Sequence, residues 1–446
     1  MADQFTLDAL REDAQLIRPD DTFDHVLQQV NDASIVLLGE ATHGTREFYR
    51  MRAEISKRLI EEKGFDAIAV EADWPDALRV SRFVQWSGHD QTADEALSGF
   101  QRFPQWMWRN TEIVELVYWM RMHNQNIDQT AWRAGFFGLD LYSLRKSMDA
   151  VTRYLDRVDP QAAQRARERY SCFDQISDDP QHYGYATTYG MQENCEDEVV
   201  RQLSDLVSQS SQYLSDDEKS ASDELFYAQQ NARVAKNAET YYRSMFRSRD
   251  ESWNVRDTHM AETLDALREH IGRHKGSRAK IIVWAHNSHI GDARATEMGQ
   301  HGQLNLGQLV RERHAPEETC LIGFTTHAGT VTAASDWDAP AELKNVVPAR
   351  QDSYEGLFHD SGLGDFMLPI RTGESTSAAL TSRRLERAIG VIYLPQTERA
   401  SHYFHADMAN QFDVVIHVDR TSAVKPLDPS PHWTHAEIPE TYPSGL

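Results

Sequence analysis

Two short apolar runs, Ser34 to Leu38 and Asp66 to Val70, flank a segment in which Phe48, Met51, Ile55, Leu59 and Ile60 recur at helical spacing until Gly64 stops them. A strand, helix, strand unit of about 35 residues is long enough for a right-handed parallel crossover. Strands that are apolar throughout, without alternation, are covered on both faces. This restricts the chain to α/β architectures. It also puts Glu40 and Glu71 just past the carboxyl ends of parallel strands, where open α/β sheets bind ligands.

The pattern continues. Arg133 to Leu139 reads as a strand ending at Asp140, and Lys280 to Ala285 as one ending in His286, Asn287, Ser288 and His289. Thr319 to Thr325, Thr330 to Ala334, Ala388 to Leu394 and Asp413 to Val418 are further strand candidates. Helices are expected from Pro75 to Trp86 and from about Trp106 to His123. From Leu144 to His274 no strand signal interrupts the helical spacing, which points to an inserted helical layer over the cleft. The expected division is therefore a first core part at 1–143, the insertion at 144–274, a second core part at 275–424 and an irregular tail at 425–446. Within the insertion, Ser177 to Asp197 has no period and reads as a mobile loop. Tyr183, Tyr185, Tyr189, Tyr241 and Tyr242 are its candidate substrate contacts.

The 446 residues carry a formal charge of −23, from 46 basic and 69 acidic side chains, and no basic stripe offsets it, so nucleic acid is not an expected partner. Met1 to Leu10 lacks the charged and apolar regions of a signal peptide, and no stretch approaches a membrane span. Cys172, Cys195 and Cys320 are odd in number and lack CxxC spacing, arguing against a disulfide framework and a zinc ribbon. A cytoplasmic protein without a membrane partner is the resulting expectation.

Glu40 with His43, Glu71 with Asp73, Asp140, and His286 with His289 all stand at strand ends. Charge gathered in a cleft costs desolvation and is kept mainly where it works. Asp140 and Asp73 can also serve simply as helix caps. A nucleophile-elbow hydrolase is weakly supported, because no G-x-S-x-G occurs. A metallohydrolase using Glu40, His43, His286 and His289 stays open, although there is no H-E-x-x-H. So does general-base hydrolysis, in which an imidazole oriented by a carboxylate activates water and a cation, for which Arg52 is the candidate, holds the oxyanion.

GEATHG with the downstream FYRMRAE helix, VEADWPDA, and WAHNSHIGD, in that order, resemble the erythromycin esterase family, which includes proteins labelled as succinoglycan biosynthesis proteins. The resemblance implies a three-layer α/β/α core with a mostly parallel sheet, and metal-independent, cofactor-free hydrolysis of an ester or macrolide lactone, the reaction behind macrolide antibiotic resistance. It implies His43 as general base, Glu40 as the acid beside it, Arg52 as the cleft arginine, Glu71 as the second acid and His286 as the later histidine. Asp73, Trp74 and His289 are then expected at the substrate. SWNVRDTHM also resembles a family segment and adds Arg256 and Asp257 from the helical layer. A binding protein that keeps the cleft without turnover is the alternative.

Overall fold

The computed structural model describes residues 4–433 apart from 19, 129–130, 175–179, 214–217, 371–375, 378–379 and 381. Eleven strands are seen: β1 (Gln15–Leu16), β2 (Ile35–Leu38), β3 (Ala67–Asp73), β4 (Gly135–Asp140), β5 (Ile281–Trp284), β6 (Thr319–Ala333), β7 (Glu342–Val346), β8 (Phe366–Pro369), β9 (Arg384–Arg387), β10 (Tyr403–Ala406) and β11 (Val414–Thr421). The main sheet runs β1-β8-β11-β6-β2-β5-β3-β4, with β7 added to β6. Its centre, from β11 through β6, β2, β5 and β3 to β4, is parallel throughout. β8 joins β11, β1 joins β8 and β7 joins β6 in antiparallel fashion.

The central strands β2 and β5 are apolar at every position because alternate residues serve different cores. Val36 and Leu38 of β2, Ile282 and Trp284 of β5, and Ile322 of β6 pack against Phe48, Ile55 and Leu59 of the Arg46–Lys63 helix. Ile35 and Leu37, Ile281 and Val283, and Leu321 point the other way, toward Met260, Leu264, Leu267 and Ile271 of the Arg249–Lys275 helix. The result is a three-layer α/β/α architecture. Between Leu144 and Lys275 the described residues form helices, and Leu144, Val151, Tyr170, Tyr183, Leu206 and Ala235 belong to an apolar cluster of their own.

β5 lies between β2 and β3, so the first crossover passes over one strand. Several expectations need correction. Thr319–Ala333 is one long strand, not two. Ala388 to Leu394 is no sheet strand, but meets Thr42 and Ala334 through single bridges at Ile389 and Ile392. Pro180–Thr188 is helical where a loop was expected, and Ser177 to Asp179 lie outside the described residues, as does the tail beyond 433. Cys172 and Cys195 form a disulfide, and Cys320 is the buried free thiol. An odd count leaves two of three cysteines free to pair when folding brings their Cα atoms to 6.0 Å, so the cysteine argument for a reducing compartment falls. Among the described residues no helix is long and apolar enough to cross a membrane.

Candidate active site

The loop after β2 is held against its neighbours by two glycines that tolerate no side chain. A Cβ on Gly39 would sit 2.1 Å from Asn287 Oδ1, and one on Gly44 would sit 1.8 Å from the Thr332 carbonyl. Between them, Asn287 N donates to the Glu40 carbonyl at 2.9 Å and Ile389 N to the Ala41 carbonyl at 2.8 Å. The side chains of Glu40 and His43 are thereby fixed at the sheet's carboxyl edge. His43 Nδ1 donates to Glu40 Oε1 at 2.9 Å, and Arg52 Nη2 donates to Glu40 Oε2 at 2.6 Å. Tyr49 Oη donates to the His43 carbonyl at 2.9 Å. One carboxylate thus orients the imidazole with one oxygen and is itself clamped through the other.

Arg52 is not the cleft cation it was expected to be. Its guanidinium is fully buried between the rings of Tyr49 and Trp284, at 4.7 and 4.6 Å, and does not line the cavity. Arg256 of the Arg249–Lys275 helix does line it, as do Arg102 and Arg249. Arg256 Nε and Nη2 donate to Asp140 at 3.0 and 2.7 Å, and Nη2 also reaches Glu71 Oε1 at 2.7 Å. Burial alone would raise both carboxyls, but His289 with Arg256 holds Glu71, and Arg256 holds Asp140, below the ordinary range. Glu71 Oε2 accepts the His286 backbone N–H at 2.9 Å, which ties the end of β3 to the end of β5.

His289 Nδ1 donates to Asp257, at 2.9 and 3.0 Å from its two oxygens, and its ring stacks on Trp253 at 4.5 Å. Its Nε2 either accepts from Arg256 Nη1 at 3.1 Å as a neutral ring or donates to Glu71 Oε1 at 3.4 Å as a charged one. Three buried carboxylates, Glu71, Asp140 and Asp257, against one arginine favour the charged ring. Burial opposes the proton, yet Asp257 and Glu71 outweigh it and push the ring up to about 9. Burial raises Asp257, with His289 acting against that rise.

His286 is the opposite case. Burial and the neighbouring His43, whose ring centroid is 4.9 Å away, push it down to about 3. Its Nδ1 accepts the Ser288 backbone N–H at 3.2 Å, which assigns the proton to Nε2. That Nε2 is buried without a hydrogen-bond partner among the described residues.

These histidines set opposite pH trends in stability. His286, and likewise His259 in the Arg249–Lys275 helix, stay neutral in the fold down to about 3 against an ordinary 6.5. Between those values the unfolded chain binds protons that the folded chain refuses. Stability is expected to fall with falling pH across that window, with a limiting slope of about 1.4 kcal/mol per pH unit for each ring. The His289 contribution is present in full below 6.5 and is lost as pH rises through about 9. Urea midpoints measured from pH 4 to 10 test this. An acid limb equally steep in His286→Gln and His259→Gln would refute the assignment.

His43, Glu71, Asp73, Asp140, Arg256, His286 and His289 surround one cavity of about 540 Å³, the size of a small-molecule site. Glu40 and Asp257 stand behind it, each bonded to a lining histidine. Trp74, expected at the substrate, is fully buried against Phe137, Phe226 and Tyr227. Tyr142 and Tyr403 line the cavity, Tyr142 lying under Arg102 and Arg256 at 4.5 and 4.9 Å. Tyr183 instead donates to Glu239 at 2.6 Å within the helical layer, and Tyr185 is exposed against Tyr189. Sequence reasoning missed Arg102, which donates to Asp73 at 3.1 Å, because its segment has no period. It missed Trp253 although that residue stands inside the SWNVRDTHM segment.

A model of the family described as Erythromycin esterase matches residues 60–421. The chain belongs to the erythromycin esterase family. The match begins after Glu40, His43 and Arg52, so their placement rests on the geometry above. A relative named putative hydrolase YbfO, from Bacillus subtilis, is 24% identical over 320 residues, covering 68% of this chain and 67% of its own. Erythromycin esterase type I from Escherichia coli is 23% identical over 339 residues, covering 68% of this chain and 77% of its own. Two solved structures share the fold. A succinoglycan biosynthesis protein has TM-score 0.75 and 21% identity, covering 94% of this chain and 97% of its own. An erythromycin esterase mutant in its open conformation has TM-score 0.64 and 19% identity, covering 90% of this chain and 94% of its own. Membership in the erythromycin esterase family points to a hydrolase with a small-molecule substrate.

Proposed function

We propose that this member of the family hydrolyses a carboxylic ester or lactone by direct attack of a water that His43 activates. The observation that carries this reading is the bridging carboxylate of Glu40, bonded to His43 on one side and to Arg52 on the other. With Nδ1 donating to Glu40, the lone pair of His43 lies on Nε2, and the ring borders the cavity. That is the tautomer a general base needs. His43 takes one proton from water as the oxygen adds to the carbonyl carbon. It returns that proton to the departing alkoxide when the tetrahedral intermediate collapses, giving a carboxylic acid and an alcohol.

The developing oxyanion needs a donor, and Arg52 is not placed to be one. This reading gives the role to His286, whose neutral ring lines the cavity beside His43 and carries its proton on Nε2, since a donor fixed in advance stabilises developing charge better than water does. Arg256 and charged His289 lie further round the same wall and suit a polar or anionic part of the substrate. Among the described residues, no three histidine, cysteine or carboxylate ligand atoms at the strand ends lie within 4.8 Å of one another. This favours the metal-free route.

The test is a panel of simple esters, lactones and macrolides, read with chelator-treated parent and His286→Ala protein. Turnover of at least one substrate is expected in the parent. Removing one oxyanion donor should then lower kcat by about 10²- to 10³-fold with KM little changed. Binding without turnover across the panel would point to a receptor. Equal kcat in His286→Ala would take the oxyanion role from His286 and make Arg256 the next candidate.

A further inference from the structure

Away from the cavity, three side chains converge where the Glu218–Ser244 and Arg249–Lys275 helices cross. His270 and His274 stand one turn apart, and both Nε2 atoms reach the same oxygen, Asp223 Oδ1, at 2.8 and 2.7 Å. The ligand atoms all lie within 4.8 Å of one another, a convergence seen for no other such trio among the described residues. We propose that Asp223, His270 and His274 form a binding site for a divalent transition metal of the zinc type, clamping these two helices together.

Four observations support the assignment. The donor set is two imidazoles and one carboxylate, which suits zinc, cobalt, nickel or copper and not magnesium or calcium, whose preferred ligands are oxygens. The rings are oriented in advance: Phe226 stacks on His270 at 3.9 Å and 4°, and Trp132 lies 5.4 Å from His274. The histidines occupy the end of a long helix, where the backbone dipole favours positive charge. Finally, Asp223 and His274 remain 29% and 16% exposed, so an ion has a path in and solvent supplies the remaining ligand.

The adjustment required is small. Tetrahedral zinc with bonds of about 2.0 Å spaces its ligand atoms about 3.3 Å apart, so the two imidazole nitrogens must back away from Asp223 by about half an ångström. Each ring then presents a lone pair at Nε2 in place of its N–H, and the displaced protons go to solvent. None of the three residues lines the catalytic cavity. A metal here would hold these two helices together without entering the reaction. It follows that metal found in the purified protein is not by itself evidence of a metallohydrolase.

The experiment titrates cobalt into chelator-treated full-length protein, following the visible bands of the bound ion, and repeats the titration with zinc by competition with a chromophoric chelator. One equivalent is expected to bind. Losing even an outer partner of a metal ligand weakens binding about 10- to 100-fold, so His274→Gln and Asp223→Asn should each weaken it by at least about 100-fold. His43→Ala and His286→Ala should bind as the parent does. Zinc should raise the melting temperature of the parent and leave that of His274→Gln unchanged. Circular dichroism of the metal-free variants separates loss of a ligand from loss of fold. Parent binding no tighter than that of His274→Gln would overturn the site. So would binding lost in His43→Ala and kept in His274→Gln, which would place the metal at the strand ends.

Discussion

Replacing His43 by alanine is expected to lower turnover on any accepted ester by about 10²- to 10⁴-fold while the protein still folds, the usual range for removing a general base. The separation of effects follows from how the ring is held. His43 is 7% exposed and lies at the cavity wall, so its removal opens space in a cavity and not in the apolar core. What it leaves behind is Glu40 Oε1 without its donor, at a cost of about 1–3 kcal/mol. Arg52 still holds Oε2, so the carboxylate keeps a cation. Glu40→Gln is the informative companion. An amide keeps the shape, yet its NH₂ can face His43 and reverse which ring nitrogen carries the proton. Turnover should therefore drop in Glu40→Gln with KM held. Parent-level turnover in a normally folded His43→Ala protein would remove the base from the mechanism.

The sequence made the central sheet visible because β2 and β5 are apolar at every position and β3 and β4 are apolar up to their acidic ends, which could be read directly. For that reason Glu40, His43, Glu71, His286 and His289 could be named before any coordinates. β7 and β9 escaped because their signal is diluted: Glu342–Val346 is mostly half-exposed and polar, and Arg384–Arg387 carries two arginines and a glutamate. The error over Arg52 has a different origin. Helical spacing put it on the Arg46–Lys63 helix, but spacing cannot say whether a side chain passes through the sheet edge to the cavity or stops beneath it. Here Tyr49 and Trp284 close over it first. Pairing across 185 residues, as between Arg256 and Glu71, leaves no periodic trace at all. Only the likeness of SWNVRDTHM to a family segment hinted at it.

That long-range pair supports the second large effect. Arg256→Leu is expected to destabilise the protein by about 3–5 kcal/mol, because it strands Glu71 and Asp140 as buried carboxylates, both at most 5% exposed. It also removes the cavity-wall cation that pairs with Glu71 and Asp140, so activity should fall together with stability. A signature in pH separates this from simple loss of packing. In the parent, Glu71 and Asp140 ionise more readily in the fold than in the unfolded chain, so their contribution is present above the ordinary carboxylate range and lost as pH falls through it. In the variant, burial acts unopposed by the arginine, the folded carboxyls bind protons more readily, and acid now stabilises them. The gap between variant and parent urea midpoints should accordingly narrow as pH is lowered toward 4. It should narrow also when Asp140→Asn is added to Arg256→Leu, since a neutral amide needs no counter-charge. A gap independent of both pH and Asp140 would mean that the guanidinium serves as filler between Tyr142 and the strand ends, with its charge contributing nothing.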